Sequence, residues 1–172
     1  MSITAKQTDQ HAADIAYQFT AQAAVFAAAP ELRTEAALMA LVTAAESGPN
    51  DTSLNVACGP GTVACAFARH VKEAAGFDAT PAMLDQARAL AARENLTNVA
   101  WHHGEAEALP FPEASFDIVT CRFAMRHVLC PARVFAEMVR VCKPGGRVVV
   151  CDGMAPDDPG EGRRLQCHGA FP

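Results

Sequence analysis

The apolar positions change their period near residue 50. From about Ala12 to Ala29 there is no Gly or Pro, and Ile15, Phe19 and Phe26 recur at helical spacing, which predicts a helix that Pro30 ends. A second predicted helix runs from Glu31 to Ala45 with Leu38, Leu41 and Val42 as its apolar stripe. Ser47-Gly48-Pro49-Asn50-Asp51 is a turn cluster. Beyond it, short apolar runs alternate with helical segments. Strands are predicted at 53–57, 74–77 (closing on Asp78), 99–103, 116–121 and 147–151. Helices are predicted at 62–69, at 81–94 behind Thr80 as N-cap with Pro81 at the first helical position, and at 131–142, stopped by Pro144-Gly145-Gly146. The nearly all-valine fifth strand reads as covered on both faces. This alternation predicts an α/β fold with a doubly wound, mostly parallel sheet, whose ligands bind beyond the carboxyl ends of the strands.

Composition narrows the class. A chain of 172 residues with 51% apolar and 19% charged positions reads as one folded domain rather than a disordered segment. A formal net charge of −5 supplies no basic surface, so nucleic acid is not an expected partner. No apolar run reaches the ~18–20 residues of a membrane span. Met1 to Asp14 is polar and lacks the apolar stretch of a signal peptide, so a soluble, cytoplasmic protein is expected. The seven cysteines are odd in number and show no metal spacing; Cys65, Cys121, Cys142 and Cys151 lie in apolar stretches and read as buried thiols. His102 and His103 are neighbours on one strand and face opposite sides, so no metal site is expected.

The chemistry concentrates at a strand–loop–helix junction. In Asn55-Val56-Ala57-Cys58-Gly59-Pro60-Gly61, two glycines remove Cβ atoms where a ligand would touch the backbone, and the helix after Gly61 offers free N–H groups. Asp78 closes the second strand 19 residues after Gly59, near the ~20-residue offset of a carboxylate on ribose hydroxyls. The full dinucleotide pattern is missing, because Ala64 stands five positions after Gly59, and no Gly-Lys-Ser/Thr follows as in a Walker A loop. The combination points to a nucleoside ligand. The plainer readings are an acidic capping residue for Asp78, a solvated loop face for Glu105 and Glu107, and a structural role for His127.

These residues resemble a family. Leu54 to Gly61 resembles motif I of the class I S-adenosyl-L-methionine (SAM)-dependent methyltransferases, and Gly76 to Leu84 resembles motif II. Gly104 to Pro112 followed by Ser115-Phe116-Asp117 resembles the segment that lines the adenine pocket, and Cys142 to Arg147 resembles the turn into strand five. The nearest branch is the type 11 small-molecule methyltransferases, which include ubiquinone and menaquinone C-methyltransferases. Gln18 to Ala23 is similar to that branch's cofactor-capping helix. The resemblance implies three parts: a helical cap over residues 1–50, a SAM-binding core over 51–152 and a short tail over 153–172.

It also implies roles. Ala57, Gly59 and Gly61 would approach the methionine and ribose by backbone, and Asp78 would accept from the ribose hydroxyls. Met83 or Ala79 would pack near the adenine, Glu105 would accept from its amino group, and Ala106 would donate its N–H to the ring. Arg122 would face the methionine end and the substrate. His127 is the candidate general base for a hydroxyl or acidic-carbon acceptor, with Phe123 and Met125 as pocket wall or core. Two positions depart from the family pattern. Asn55 stands at a usually acidic position, where it could still organise the loop by hydrogen bonds. Ala57 replaces a usual glycine, which a negative φ would accommodate. The expected function is SAM-dependent methyl transfer to a small-molecule substrate; the alternatives are a SAM-fold binding or assembly protein without turnover and, more distantly, a nicotinamide dehydrogenase. Only 21 residues follow Cys151, too few for the helix and antiparallel hairpin that normally close this sheet. The Val148-Val149-Val150 edge is therefore expected to pair with another chain as a homodimer, to be covered by the tail, or to aggregate.

Overall fold

The computed structural model describes residues 19–25, 27–29, 34–128, 130–153 and 165–168. The readings for Met1 to Asp14, for Ile15, Gln18, Phe26 and Pro30, and for the start of the second helix lie outside these residues. Residues 19–25 and 27–28 are helical, and α1 covers Glu35–Ala44.

The α/β part alternates β1 (Thr52–Val56), α2 (Thr62–Ala68), β2 (Glu73–Asp78), α3 (Pro81–Arg93), β3 (Val99–His103), β4 (Phe116–Arg122), a 3-10 turn (Met125–His127), α4 (Pro131–Val141), β5 (Cys142–Gly153) and β6 (Leu165–His168). The sheet order is β3-β2-β1-β4-β5-β6, with β1 to β5 parallel and β6 antiparallel to β5. The chain winds outward from β1 in both directions, so the crevice beyond the ends of β1 and β4 is the switch point where such sheets bind ligands.

Both faces of the central strands are buried. Leu54 and Val56 pack with Phe77, Val119, Val134 and Met138 under α4. On the other face α1 and α2 contribute Leu41, Val42, Val63 and Phe67 against Ile118 and Val149. Ser53 and Asn55 share the other face of β1 and are buried as well, so neither face of the strand from Ser53 on meets solvent.

Three expectations are corrected. β5 begins at Cys142 instead of Arg147: Phe116 pairs with Cys142 and Ile118 with Arg147, so Lys143 to Gly146 bulge out of the ladder, with Gly145 at φ +76°. Cys142 is half-buried, whereas Cys65, Cys121 and Cys151 are buried as expected. Thr80 precedes α3 as expected, yet its side chain makes no cap bond. At the β5 edge, Val150 to Gly153 pair with His168 to Leu165, so of the three valines Val150 alone is paired with β6.

Candidate cofactor and active site

The loop after β1 owes its shape to left-handed backbone. Ala57, Gly59 and Gly61 have φ of +51°, +52° and +83°. The negative φ that would have accommodated Ala57 is not adopted, so this alanine holds a conformation that favours glycine. Gly61 is required on two counts, since a Cβ there would lie 2.7 Å from both Ala87 Cβ and Trp101 Cη2. At Gly59 a Cβ would meet nothing within 4 Å, leaving open space above the loop. Cys58 N–H donates to Phe77 O at 3.0 Å, which ties the loop to β2.

Asp78 completes this tie. Its Oδ2 accepts from Gly59 N–H at 2.7 Å and its Oδ1 from Thr80 N–H at 2.9 Å. The 19-residue offset is thus a direct contact, and the capping-region reading is also met through Thr80. Burial raises the Asp78 pKa, and the N–H groups of Gly59 and Thr80, the Thr80 hydroxyl and the charge of His103 pull it back only in part. With these three donors in place, the carboxylate's roughly four acceptor sites leave one for a further donor.

Glu105 follows β3 on an exposed turn, whereas Ala106 is buried. Burial raises the Glu105 pKa, with further contributions from Glu107 and Asp78 and an opposing one from His103, so these four groups share one electrostatic site. His103 Nε2 lies 3.0 Å from Ala79 O, and the His102 ring packs edge-on against Phe111 at 5.1 Å. The two histidines therefore diverge, as strand alternation demands. Met83 is only 3% exposed.

Asn55 serves a different neighbour from the one expected. Its Nδ2 donates to Thr120 Oγ1 at 3.1 Å and Thr120 O at 3.3 Å, so its hydrogen bonds run across to β4 rather than to the loop. Its buried Oδ1 has no partner among the described residues.

On the β4 side, buried Arg122 places its guanidinium carbon 4.5 Å from the centre of the Phe123 ring. Phe123 has φ +59°, held by its N–H bond to Cys151 O at 2.8 Å. His127 Nε2 accepts from Arg126 Nε at 3.1 Å, and Arg126 Nη1 reaches Asp152 Oδ1 at 3.2 Å. Burial lowers the His127 pKa, Arg126 lowers it further and Asp152 opposes. The Phe19 ring meets the imidazole edge-on at 5.2 Å, joining the N-terminal helical segment to this side of the crevice.

The structure thus brings Ala57, Gly59, Gly61, Asp78, Ala79 and Glu105 together on the β1–β2–β3 side, with Arg122 at the end of β4 and His127 beyond it. Asn55 and Met83 turn inward. Sequence reasoning missed Thr120, Trp101 and the Phe123 backbone. Gly76 inside a strand was the available sign of Trp101, since a Cβ there would lie 2.4 Å from the indole. Among the described residues no three His, Cys, Asp or Glu side chains are placed to hold a metal ion.

The switch point between β1 and β4, the left-handed loop and the acid closing β2 define a doubly wound α/β fold. Within that class, the chain belongs to the methyltransferase domain family, whose model matches residues 54–150. It is 39% identical over 119 residues to the uncharacterized methyltransferase YcgJ of Bacillus subtilis, covering 69% of this chain and 47% of that protein. The YcgJ crystal structure superposes with a TM-score of 0.67 over 71% of this chain and 52% of that one. The demethylmenaquinone methyltransferase of Deinococcus radiodurans is 41% identical over 109 residues, 60% of this chain and 43% of that protein. A SAM-dependent methyltransferase from Aquifex aeolicus, at 19% identity and a TM-score of 0.63 over 70% of this chain and 67% of that one, shares the fold. The chain spans about half the length of the curated relatives it matches.

Proposed function

We propose that this chain holds SAM and supports transfer of its methyl group to a small-molecule acceptor. The Asp78 carboxylate braced against Gly59 in a left-handed loop is the observation that carries the reading. The site suits such a ligand: open space lies above Gly59, and Asp78 keeps an acceptor site for a ribose hydroxyl. Bound SAM supplies a sulfonium-activated methyl carbon. Ala57, Gly59 and Gly61 hold the methionine and ribose portions by backbone, Asp78 accepts from the ribose, and Ala79, with Met83 behind it, borders the adenine. Glu105 accepts from the adenine amino group and Ala106 donates its N–H to the ring. Arg122 faces the methionine end and the acceptor. The protein contributes mainly alignment of the acceptor and exclusion of water. With a hydroxyl or acidic-carbon acceptor, His127 takes the departing proton on Nε2 once Arg126 releases it; the lowered pKa keeps this imidazole neutral at pH 7.

The acceptor is a small molecule, and quinols join phenols, amines and acids in the test panel because demethylmenaquinone methyltransferases are among the relatives. We place the protein in the cytoplasm on its odd cysteine count, and infer no nucleic-acid partner from its net charge of −5. A homodimer through β5 would use Arg147 to Val149 or displace β6 from Val150 to Gly153. Calorimetry with SAM and S-adenosylhomocysteine tests the core of the proposal: saturable binding is expected, and no binding at millimolar ligand overturns it. A second reading, binding without turnover, is favoured by Asn55, which supplies no carboxylate and is committed to Thr120. Methyl transfer to any acceptor in the panel removes that reading.

A further inference from the structure

The loop between β3 and β4, residues 104–115, contains no helix or strand, yet it carries Glu105 and Ala106 directly after Gly104. The polar face of one helix holds it. Arg133, Glu137 and Arg140 stand at three- and four-residue steps on α4, one stripe away from the buried Val134, Met138 and Val141. Arg133 Nε donates to Glu107 O at 3.0 Å. Glu137 Oε2 accepts from Leu109 N–H at 2.8 Å. Arg140 donates from Nη2 to Leu109 O at 2.9 Å and from Nη1 to Phe111 O at 2.8 Å. Its Nε and Nη2 also engage the two Glu137 oxygens at 2.7 Å each, so the two side chains lock each other before either touches the loop. Ala114 N–H and Ser115 N–H then bond to the carbonyls of Arg140 and Val141 at 3.0 and 2.8 Å.

Every loop atom in these bonds is backbone. The helix therefore fixes where the loop runs, and the Glu105 side chain takes no part in these bonds. Buried Ala106 and Leu109 plug into the apolar cluster that α4 also covers. We propose that Arg133, Glu137 and Arg140 are positioning residues that aim the Glu105 carboxylate and the Ala106 N–H at the adenine edge, so that α4 sets base selectivity without touching the cofactor. This rests on the reading of Glu105 and Ala106 as the adenine contacts.

The experiment measures calorimetric affinity for S-adenosylhomocysteine and S-inosylhomocysteine. The inosine analogue replaces the amino donor with an oxygen, which an acceptor such as Glu105 rejects. A wild-type preference for the adenosine form of about tenfold or more is expected. Glu105→Ala should collapse most of that ratio, leaving the part set by Ala106 N–H, because ring N1 is protonated in the inosine form and cannot accept from it. Glu137→Ala and Arg140→Met should lower it severalfold at a temperature where near-ultraviolet circular dichroism shows the variants folded. Glu137→Gln, which keeps an oxygen for Leu109 N–H, should retain more of the ratio than Glu137→Ala. Arg133→Met removes one bond from an exposed side chain and supplies a variant with little risk to folding. Arg147 is the matched control, because it donates to Ala45 O at 2.7 Å far from the loop; Arg147→Met should lower thermal stability and leave the ratio unchanged. A collapse in Glu105→Ala with wild-type ratios in the Arg133, Glu137 and Arg140 variants overturns the positioning role and leaves the adenine reading standing. An unchanged ratio in Glu105→Ala overturns both.

Discussion

Gly59 and Gly61 occupy similar backbone conformations but different surroundings, which makes Gly61→Ala a sharp test of the loop's architecture. At φ +83° an added side chain costs about 1–2 kcal/mol for the left-handed conformation alone. The new Cβ would also lie 2.7 Å from Ala87 Cβ, 2.7 Å from Trp101 Cη2 and 3.0 Å from Ala87 Cα. Because Ala87 meets it with backbone as well as side chain, α3 itself must shift, and overpacking of this kind costs roughly 1–3 kcal/mol. The sum, about 2–5 kcal/mol, is a large part of the ~5–15 kcal/mol that keeps a domain folded. At ~2–4 °C per kcal/mol for a domain this size, the melting temperature should fall by roughly 5–20 °C. Gly59→Ala is the comparison: its φ of +52° imposes the conformational cost, but no atom lies within 4 Å of the new methyl. That variant should lose a few degrees and, by filling the space above the loop, most of its affinity for S-adenosylhomocysteine. Thermal unfolding followed by circular dichroism, with calorimetry on each variant, separates the two. Equal melting temperatures for the two variants would refute the packing argument for Gly61.

Ala57→Gly should have the opposite sign, because relief of about 1–2 kcal/mol of left-handed strain outweighs the ~0.5–1 kcal/mol that glycine gives up in chain entropy; a lower melting temperature would contradict the strain at φ +51°. Asp117 is raised by burial but lowered more by Lys143 and by the N–H and hydroxyl of Thr52, to about 2. Its folded pKa lies below the unfolded one, so its stabilisation is present above roughly pH 4 and disappears as pH falls toward 2. Acid unfolding of Lys143→Met should show a shallower loss across that window. His127 should titrate below the usual 6.5 by NMR, and Arg126→Met should move its midpoint upward by removing a hydrogen-bond donor and a nearby positive charge; an unmoved midpoint would assign the shift to burial alone.

The features legible in the sequence were those that local chemistry dictates. Strand periods placed β1 to β4 to within a residue, and the Gly59–Asp78 spacing marked two groups that meet at 2.7 Å. What escaped depended on register between distant segments. Asn55 finds Thr120 only because β1 and β4 pair across 65 residues, and nothing near Asn55 announces that partner. The start of β5 was misplaced because Pro144-Gly145-Gly146 reads as a stop, whereas the ladder bulges around it and resumes. Phe123 has no local sign of its positive φ, since the bond from its N–H to Cys151 O holds it there. The β5 edge depended on whether four tail residues could reach it, a question of reach rather than of propensity.

The central claim is that the left-handed loop and Asp78 together hold an S-adenosyl ligand. Its most direct test is a pair of calorimetric titrations with S-adenosylhomocysteine, on the wild-type chain and on Asp78→Ala, at a temperature where both are folded. Saturable wild-type binding that weakens at least about tenfold in the variant is the predicted result, a loss matching one charge-assisted hydrogen bond at the ribose. Absence of binding to the wild-type chain at millimolar ligand, or equal affinity in the two proteins, would contradict it.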